Sequence, residues 1–175
     1  SSLTLGQFNA TINTWHNGCQ SGLLRGFHHF CQSSKYCGHK KISWTWKGVD
    51  LKTEPLPIVI GALGNGNICV GSNLISLGNK LKEDWKEGAD ILIHDIYPEK
   101  DNILISGILS SLTFLNNRGY FVLRLPEPNK WNTNTVNIIL TISMIFQNVN
   151  IWSPPWGRRG VEKKYYMVAH KKKKT

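Results

Sequence analysis

The 175-residue sequence predicts one mixed α/β domain whose sheet is mostly parallel, with an antiparallel hairpin at one edge. Three observations predict it. Short apolar runs alternate with longer helical periodicities over the second half of the chain. The last two short runs are joined by a Pro/Gly loop and no helix, which suits a hairpin rather than a crossover. Hydrophobic residues make up 41% of the chain, enough for a core, and the length suits one domain rather than two. The expected organisation is an irregular part over 1–50, an α/β core over 51–170 and a basic tail over 171–175.

In chain order, residues 1–50 are polar and aromatic with little clean periodicity. They hold a short amphipathic helix around Leu23–Tyr36 and an alternating strand at Ile42–Trp46. Pro55 and Pro57 mark a connector. Pro57–Gly64 is an apolar run ending in glycines, read as a buried first strand running into a tight turn. Ile68–Gly71 is another short apolar piece, and Leu81–Gly88 reads as a helical turn or loop. Ala89–Ile93 is a central parallel-type strand. Ile103–Asn116 is a mostly buried helix closed by Asn116-Asn117-Arg118-Gly119. Tyr120–Leu125 is a strand stopped by Pro126 and Pro128, Thr133–Phe146 a second helix, Val149–Trp152 a short strand and Tyr165–Ala169 the last one.

Composition excludes a disordered chain. No run approaches the roughly 18 apolar residues of a membrane-spanning helix. The start, Ser1-Ser2-Leu3-Thr4, has no signal-peptide pattern and no initiator Met, so the chain reads as trimmed or cut from a longer polyprotein. The net charge of +10 is unevenly placed. Residues 156–175 hold eight basic residues and one acid, so most of the excess sits near the C-terminus, which excludes a histone-like protein and points to phosphates. Lys171–Lys174 reads equally as a solvated tail.

Four cysteines are too few for a disulfide scaffold. His16-x-x-Cys19 and Cys37-x-His39 can each offer two ligands to a tetrahedral zinc, against the plainer reading of reduced cysteines and ordinary histidines in a loop-rich region. No Gly-Lys-Ser/Thr follows the glycines, which disfavours a P-loop hydrolase, and no Gly-x-Ser-x-Gly exists for an α/β-hydrolase.

Open α/β sheets bind ligands beyond the carboxyl ends of their strands. That singles out Gly61, Gly64 and Gly66, then His94 and Asp95, then Arg124, then Glu162 before the last strand. An acid, a base and an acid at the ends of consecutive strands can converge on one cleft. Each also has a plain reading: Asp95 as a helix cap, Arg124 as an ion-pair partner, Glu162 as a surface residue.

The order of these motifs resembles the FtsJ-like ribose 2'-O-methyltransferases, and within them the cap 2'-O-methyltransferase of nidovirus replicases, coronaviruses included. Ile91-Leu92-Ile93-His94-Asp95-Ile96-Tyr97-Pro98 resembles their apolar strand followed by Ser-Asp-Met and Tyr or Ala. Gly119–Leu125 resembles their Gly-Gly-x-apolar-apolar-Lys strand. Ser153–Glu162 with Tyr165–Ala169 resembles their closing Ser-x-Glu-x-Tyr-apolar-Val. The likeness covers residues 89–169.

The resemblance implies a Rossmann-like methyltransferase fold, S-adenosylmethionine as cofactor, and a catalytic tetrad of Lys35, Asp95, Arg124 and Glu162, with Arg25, Lys40 and Lys41 as rivals for the first position. It implies a cofactor loop at Gly61, Gly64 and Gly66, a second strand at Val70–Leu74 with Asn73 where the family has a ribose-binding acid, and Asp95 toward the methyl donor. Only 34 residues separate Gly61 from Asp95, which implies a shortened cofactor half. Arg124 stands where the family has its central lysine, and arginine does not give up its proton. Arg158, Arg159, Lys163 and Lys164 would meet RNA phosphates. The expected substrate is a capped RNA, with replicase proteins as partners in the host cytoplasm. The alternatives are a catalytically degenerate relative kept as an RNA-binding or replicase scaffold, and a zinc-organised interaction domain.

Overall fold

The computed structural model describes residues 10–19, 21–33, 42–51, 62–65, 69, 71–154 and 163–174. Strand β1 (Ala10–Asn17) is followed by helix α1 (Ser21–Gln32), β2 (Ile42–Asp50), β3 (Ala62–Asn65), α2 (Gly71–Asp84), β4 (Ala89–His94), α3 (Asp101–Phe114), β5 (Leu115–Leu125), α4 (Thr133–Ile145), β6 (Phe146–Trp152) and β7 (Tyr165–Lys172). They form one seven-stranded sheet in the order β3-β2-β1-β4-β5-β7-β6. β3, β2, β1, β4 and β5 pair in parallel, while β7 runs antiparallel between β5 and β6. The parallel core and the antiparallel edge hairpin are as the sequence predicts.

Among the described residues the sheet builds outward from β1 to β2 and β3, then returns to lay β4 on the other flank of β1. The strand order therefore reverses between β1 and β4, and the carboxyl ends of those two strands bound the ligand crevice of such a sheet. This moves the centre of the molecule. The first strand expected at Pro57–Gly64 is the edge strand β3, described from Ala62, where Gly64 pairs with Val49. The second strand expected at Val70–Leu74 is a helix, since α2 begins at Gly71. The half of the sheet that lies before the reversal is carried by β1, α1, β2 and β3, so its length is not measured from Gly61.

The core lies mainly between the sheet and the helices α2, α3 and α4. Trp15 of β1 stacks on Phe114 of α3 with ring centres 4.3 Å apart, and Leu92, Phe121, Leu123, Phe146 and Met167 continue the layer along the strands. α3 also buries three serines. Each is satisfied by donating back along the helix, Ser106 to the Ile103 carbonyl, Ser110 to that of Ser106 and Ser111 to that of Ile108. Asn132 caps α4 by accepting from the Thr135 amide at 2.9 Å.

The basic C-terminus is built into this frame rather than trailing from it. Lys171 and Lys172 belong to β7. Lys172 Nζ donates to the Leu115 carbonyl at the end of α3 (2.6 Å), and Lys173 Nζ to the Ser143 carbonyl in the last turn of α4 (2.8 Å). Ammonium groups there meet carbonyls that lack helical partners and the negative end of each helix dipole. The final strand expected to stop at Ala169 runs on because these contacts hold it.

Candidate functional site

The turn after β1 is the tightest point of the crevice. Gly18 has φ +87°, a left-handed conformation, and a Cβ placed there would lie 2.8 Å from the Asp95 carbonyl oxygen. Only glycine fits both demands. The Gly18 amide donates to the Val49 carbonyl (2.8 Å) and the Asp95 amide to the Asn17 carbonyl (3.0 Å), so the ends of β2, β1 and β4 are sewn together at one level. Asp50, at the carboxyl end of β2, accepts from the Cys19 amide at 3.0 Å through Oδ2.

Beneath this turn lies a sealed polar chain. Asn17, His94 and Ser110 are fully buried. Trp15 Nε1 donates to Asn17 Oδ1 (2.7 Å), and Asn17 Nδ2 reaches His94 Nδ1 and Ser110 Oγ, each at 3.0 Å. The amide nitrogen has only hydrogens to offer, so His94 Nδ1 must accept and its ring is neutral with the proton on Nε2. Burial holds the His94 pKa at about 4, the Ile103 carbonyl opposing weakly. Gly107 of α3 leaves room for that ring, since a Cβ there would come within 3.1 Å of it. On the other face of β1, His16 pairs with Thr14 Oγ1 at 2.8 Å, and burial lowers it also to about 4.

Asp95 and Arg124, expected from the strand-end argument, are brought together. Arg124 NH1 lies 3.7 Å from Asp95 Oδ1, and both side chains are about nine-tenths buried or more. Tyr166 of β7 donates its hydroxyl to the same Oδ1 at 3.2 Å, and its pKa is pushed up to about 12 by burial and the Asp95 charge, with Arg124 opposing. The guanidinium lies 5.2 Å from the centre of the Tyr97 ring, a cation–π contact. Lys130 reaches the Tyr97 hydroxyl at 3.3 Å and Glu127 at 3.4 Å. Beside this cluster opens a cleft of about 360 Å³ lined by Glu127, Pro128, Asn129, Lys163 and Tyr165.

Other expected residues fall elsewhere. Asn73 sits exposed in the first turn of α2, not at a strand end. Gly64 lies within the edge strand β3. Lys163 and Lys164 stand just before β7, Lys163 exposed and Lys164 half-buried. Lys35, Gly61, Gly66, Arg158, Arg159 and Glu162, with the zinc candidates Cys37 and His39, lie outside the described residues, as do Lys40 and Lys41; Arg25 is exposed on α1. Lys35 follows β1 in the chain, where the resemblance asks for a lysine preceding the glycine strand.

His16 and Cys19 are turned to other partners: His16 Nε2 pairs with Thr14 Oγ1, and the Cys19 thiol donates to the carbonyls of His16 and Val49, with burial and the nearby Asp50 charge pushing its pKa up to about 12. Among the described residues no three His, Cys, Asp or Glu side chains converge.

Sequence reasoning missed Asn17, Gly18, Asp50 and Tyr166. A signal for two of them, Gly18 and Asp50, exists: Gly18 and Gly22 bracket the start of an amphipathic helix, and the following strand closes on an acid, the strand–glycine–helix–strand–acid order of a nucleoside-binding half-sheet.

Two solved structures share this architecture. One, from Listeria monocytogenes, is described as a class I S-adenosylmethionine-dependent methyltransferase; it superposes with a TM-score of 0.53 at 12% identity over 94% of this chain and 55% of that one. The fold is Rossmann-like, of the methyltransferase kind. The second is a spermidine synthase in complex with the transition-state analogue AdoDATO, with a TM-score of 0.50 at 13% identity over 94% of this chain and 54% of that one. The chain thus spans about half the length of these structures, and at such identity the likeness concerns the fold. The sequence matches no family model and no curated protein. Among the described residues no helix is long and apolar enough to cross a membrane.

Proposed function

We propose that the chain is an S-adenosylmethionine-dependent methyltransferase whose acceptor is a ribose 2'-hydroxyl of RNA, a capped RNA in the first instance. The observation that carries this reading is the convergence of Arg124 and Tyr166 on one carboxylate oxygen of Asp95, at the strand end that borders the β1 turn.

The residues around that turn suit the cofactor. The Gly18 turn keeps the β1 and β4 ends in direct contact at the crevice, α1 opens just beyond it with backbone amides for a carboxylate, and Asp50 is placed where a carboxylate accepts from ribose hydroxyls. When bound, the cofactor supplies an electrophilic methyl group on a sulfonium. Asp95, buried beside Arg124, would offer its carboxylate to that cationic centre. Arg124 stays protonated, so it orients the acceptor oxygen and stabilises the negative charge growing on it, but takes no proton. Tyr166, with its pKa pushed up, remains a phenol that donates to Asp95 and holds its carboxylate in place. The acceptor proton is left to Asp95 or to solvent. Lys163 and Lys130, beside the cleft, suit phosphates of a bound strand.

The test is transfer of labelled methyl to a short capped RNA, with Asp95→Ala as the comparison, and calorimetry with S-adenosylmethionine for wild type and Asp50→Ala. Expected are 2'-O-methylation lost in Asp95→Ala and cofactor affinity at least about tenfold weaker in Asp50→Ala, as for one lost charge-assisted hydrogen bond or more. Label transfer no higher than in Asp95→Ala overturns the catalytic claim. Arginine at the central position favours a second reading, a non-catalytic RNA-binding scaffold; saturable RNA binding with no cofactor binding supports that one.

A further inference from the structure

Helices α3 and α4 are apolar on the side that faces the sheet and also on the side that faces away. Leu104, Ile108 and Phe114 of α3 and Ile138 and Ile142 of α4 are buried in the core. Ile105, Leu109 and Leu112, spaced four and three apart on α3, are 44–50% exposed, and Val136, Leu140 and Met144, spaced four apart on α4, are 44–75% exposed. Such spacings put each set on one outer stripe. The two helices pack against each other, so the stripes are neighbours. A helix apolar all round belongs inside something.

We propose that this outer face of α3 and α4 is a homodimer interface, covered by the same face of a second copy of the chain. Size is the first argument. The six side chains expose on the order of 600 Å² of apolar surface, at the upper end for the largest patch on a monomer and most of the roughly 800 Å² that one subunit gives to a standard interface. Charge is the second. α4 has no charged residue, and α3 has only Asp101, at its first position. A partner of different chemistry would be selected by charges or buried polar groups on the patch, and an anionic membrane by lysines around it. Neither helix offers them. The chain carries +10 overall, so two copies approach most readily over an uncharged surface, and the middle of this face is one, with Lys173 at its rim on the Ser143 carbonyl. A twofold axis through a mainly apolar patch, with Thr113, Asn137 and Thr141 exposed beside the stripes, makes it self-complementary.

The experiment is sedimentation velocity of the whole 175-residue chain from about 2 to 200 μM, at low and at high salt. Expected is a monomer–dimer equilibrium that tightens as salt screens the like charge of the two copies. Leu140→Glu, at a position already more than half exposed, keeps the far-ultraviolet spectrum and melting midpoint of the wild type and weakens dimerisation at least tenfold. Trp152→Glu, on the exposed edge strand β6, leaves the dimer unchanged. A wild type that stays monomeric throughout overturns the proposal, whether or not it binds neutral phosphatidylcholine vesicles. A dimer that survives Leu140→Glu overturns it too, as does one that Trp152→Glu dissolves, which would place the contact along the sheet edge.

Discussion

Strand β5 divides the molecule into two regions that handle polar groups in opposite ways. Toward β4 and β1, the polar groups are sealed and largely paired with one another, Trp15 with Asn17, Asn17 with His94 and Ser110, and the Asp95 amide with the Asn17 carbonyl, while His16 Nδ1 and Trp46 Nε1 are buried without a hydrogen-bond partner among the described residues. Toward β7 and β6, cations stand partly in water and reach back to helix ends, Lys172 to Leu115 and Lys173 to Ser143. Burial makes the first region intolerant, because a lost partner there cannot be replaced by water, while the second is screened and replaceable. The Asp95–Arg124–Tyr166 cluster lies where the two meet: its carboxylate comes from the sealed side and its phenol from the open side. A reactive cluster gains from that seam, being held by a rigid wall and reached from an accessible one.

Acid should break the sealed side first and most. His16 and His94 have pKa values of about 4 in the fold against 6.5 as the ordinary value. Between those values the unfolded chain binds more protons, so stability is full above pH 6.5, falls as pH drops through the window and stops falling near pH 4. The two groups together account for a loss of about 7 kcal/mol, comparable to the whole stability of a marginal domain. Urea midpoints measured at pH 7, 5.5 and 4.5 should drop steeply, and a flat profile would break the contrast. Next comes Asn17→Leu, which strands the Trp15 and His94 nitrogens and should cost about 4 kcal/mol by denaturant unfolding. Gly18→Ala, strained in φ and forced against the Asp95 carbonyl, should cost about 3 kcal/mol and weaken cofactor binding by calorimetry. On the open side, Lys172→Met should cost only about 1 kcal/mol in thermal melts, since it removes one cap and keeps the apolar stem. Equal losses at Asn17 and Lys172 would erase the distinction.

The same contrast explains what was legible in the sequence. β4, β5, α3 and α4 carry apolar periodicity, and the reading placed β4, α3 and α4 to within two residues, while β5 starts at Leu115, five residues before the expected Tyr120, so that the expected turn at Asn116–Gly119 is strand. β1 carries almost none. Thr14, His16 and Asn17 are polar yet fully buried, because both neighbouring strands and α3 supply their partners. A scan for apolar runs passes over such a strand and settles on the next glycine-tipped run, which is why the crevice was expected beside Gly61 rather than Gly18. Arg124 and Asp95 were found because charged residues at the ends of apolar strands are conspicuous. Tyr166 was not singled out, since its role depends on β7 lying next to β5, which spacing does not show. Lys172 and Lys173 looked like tail because a lysine run gives no sign of the carbonyls it will meet.

By itself the sequence determined the class of fold, the parallel core with its edge hairpin, and the pairing of an acid with a cation at consecutive strand ends, since these follow from local periodicity and from the rule that loops bear the polar groups of a buried sheet. The tertiary structure alone decided which strand is central, which glycine turns beneath the crevice and which carboxylate faces it. Those depend on strand order, and strand order rests on contacts between residues far apart in the chain, such as Asn17 of β1 with His94 of β4, 77 positions away, which no local pattern records.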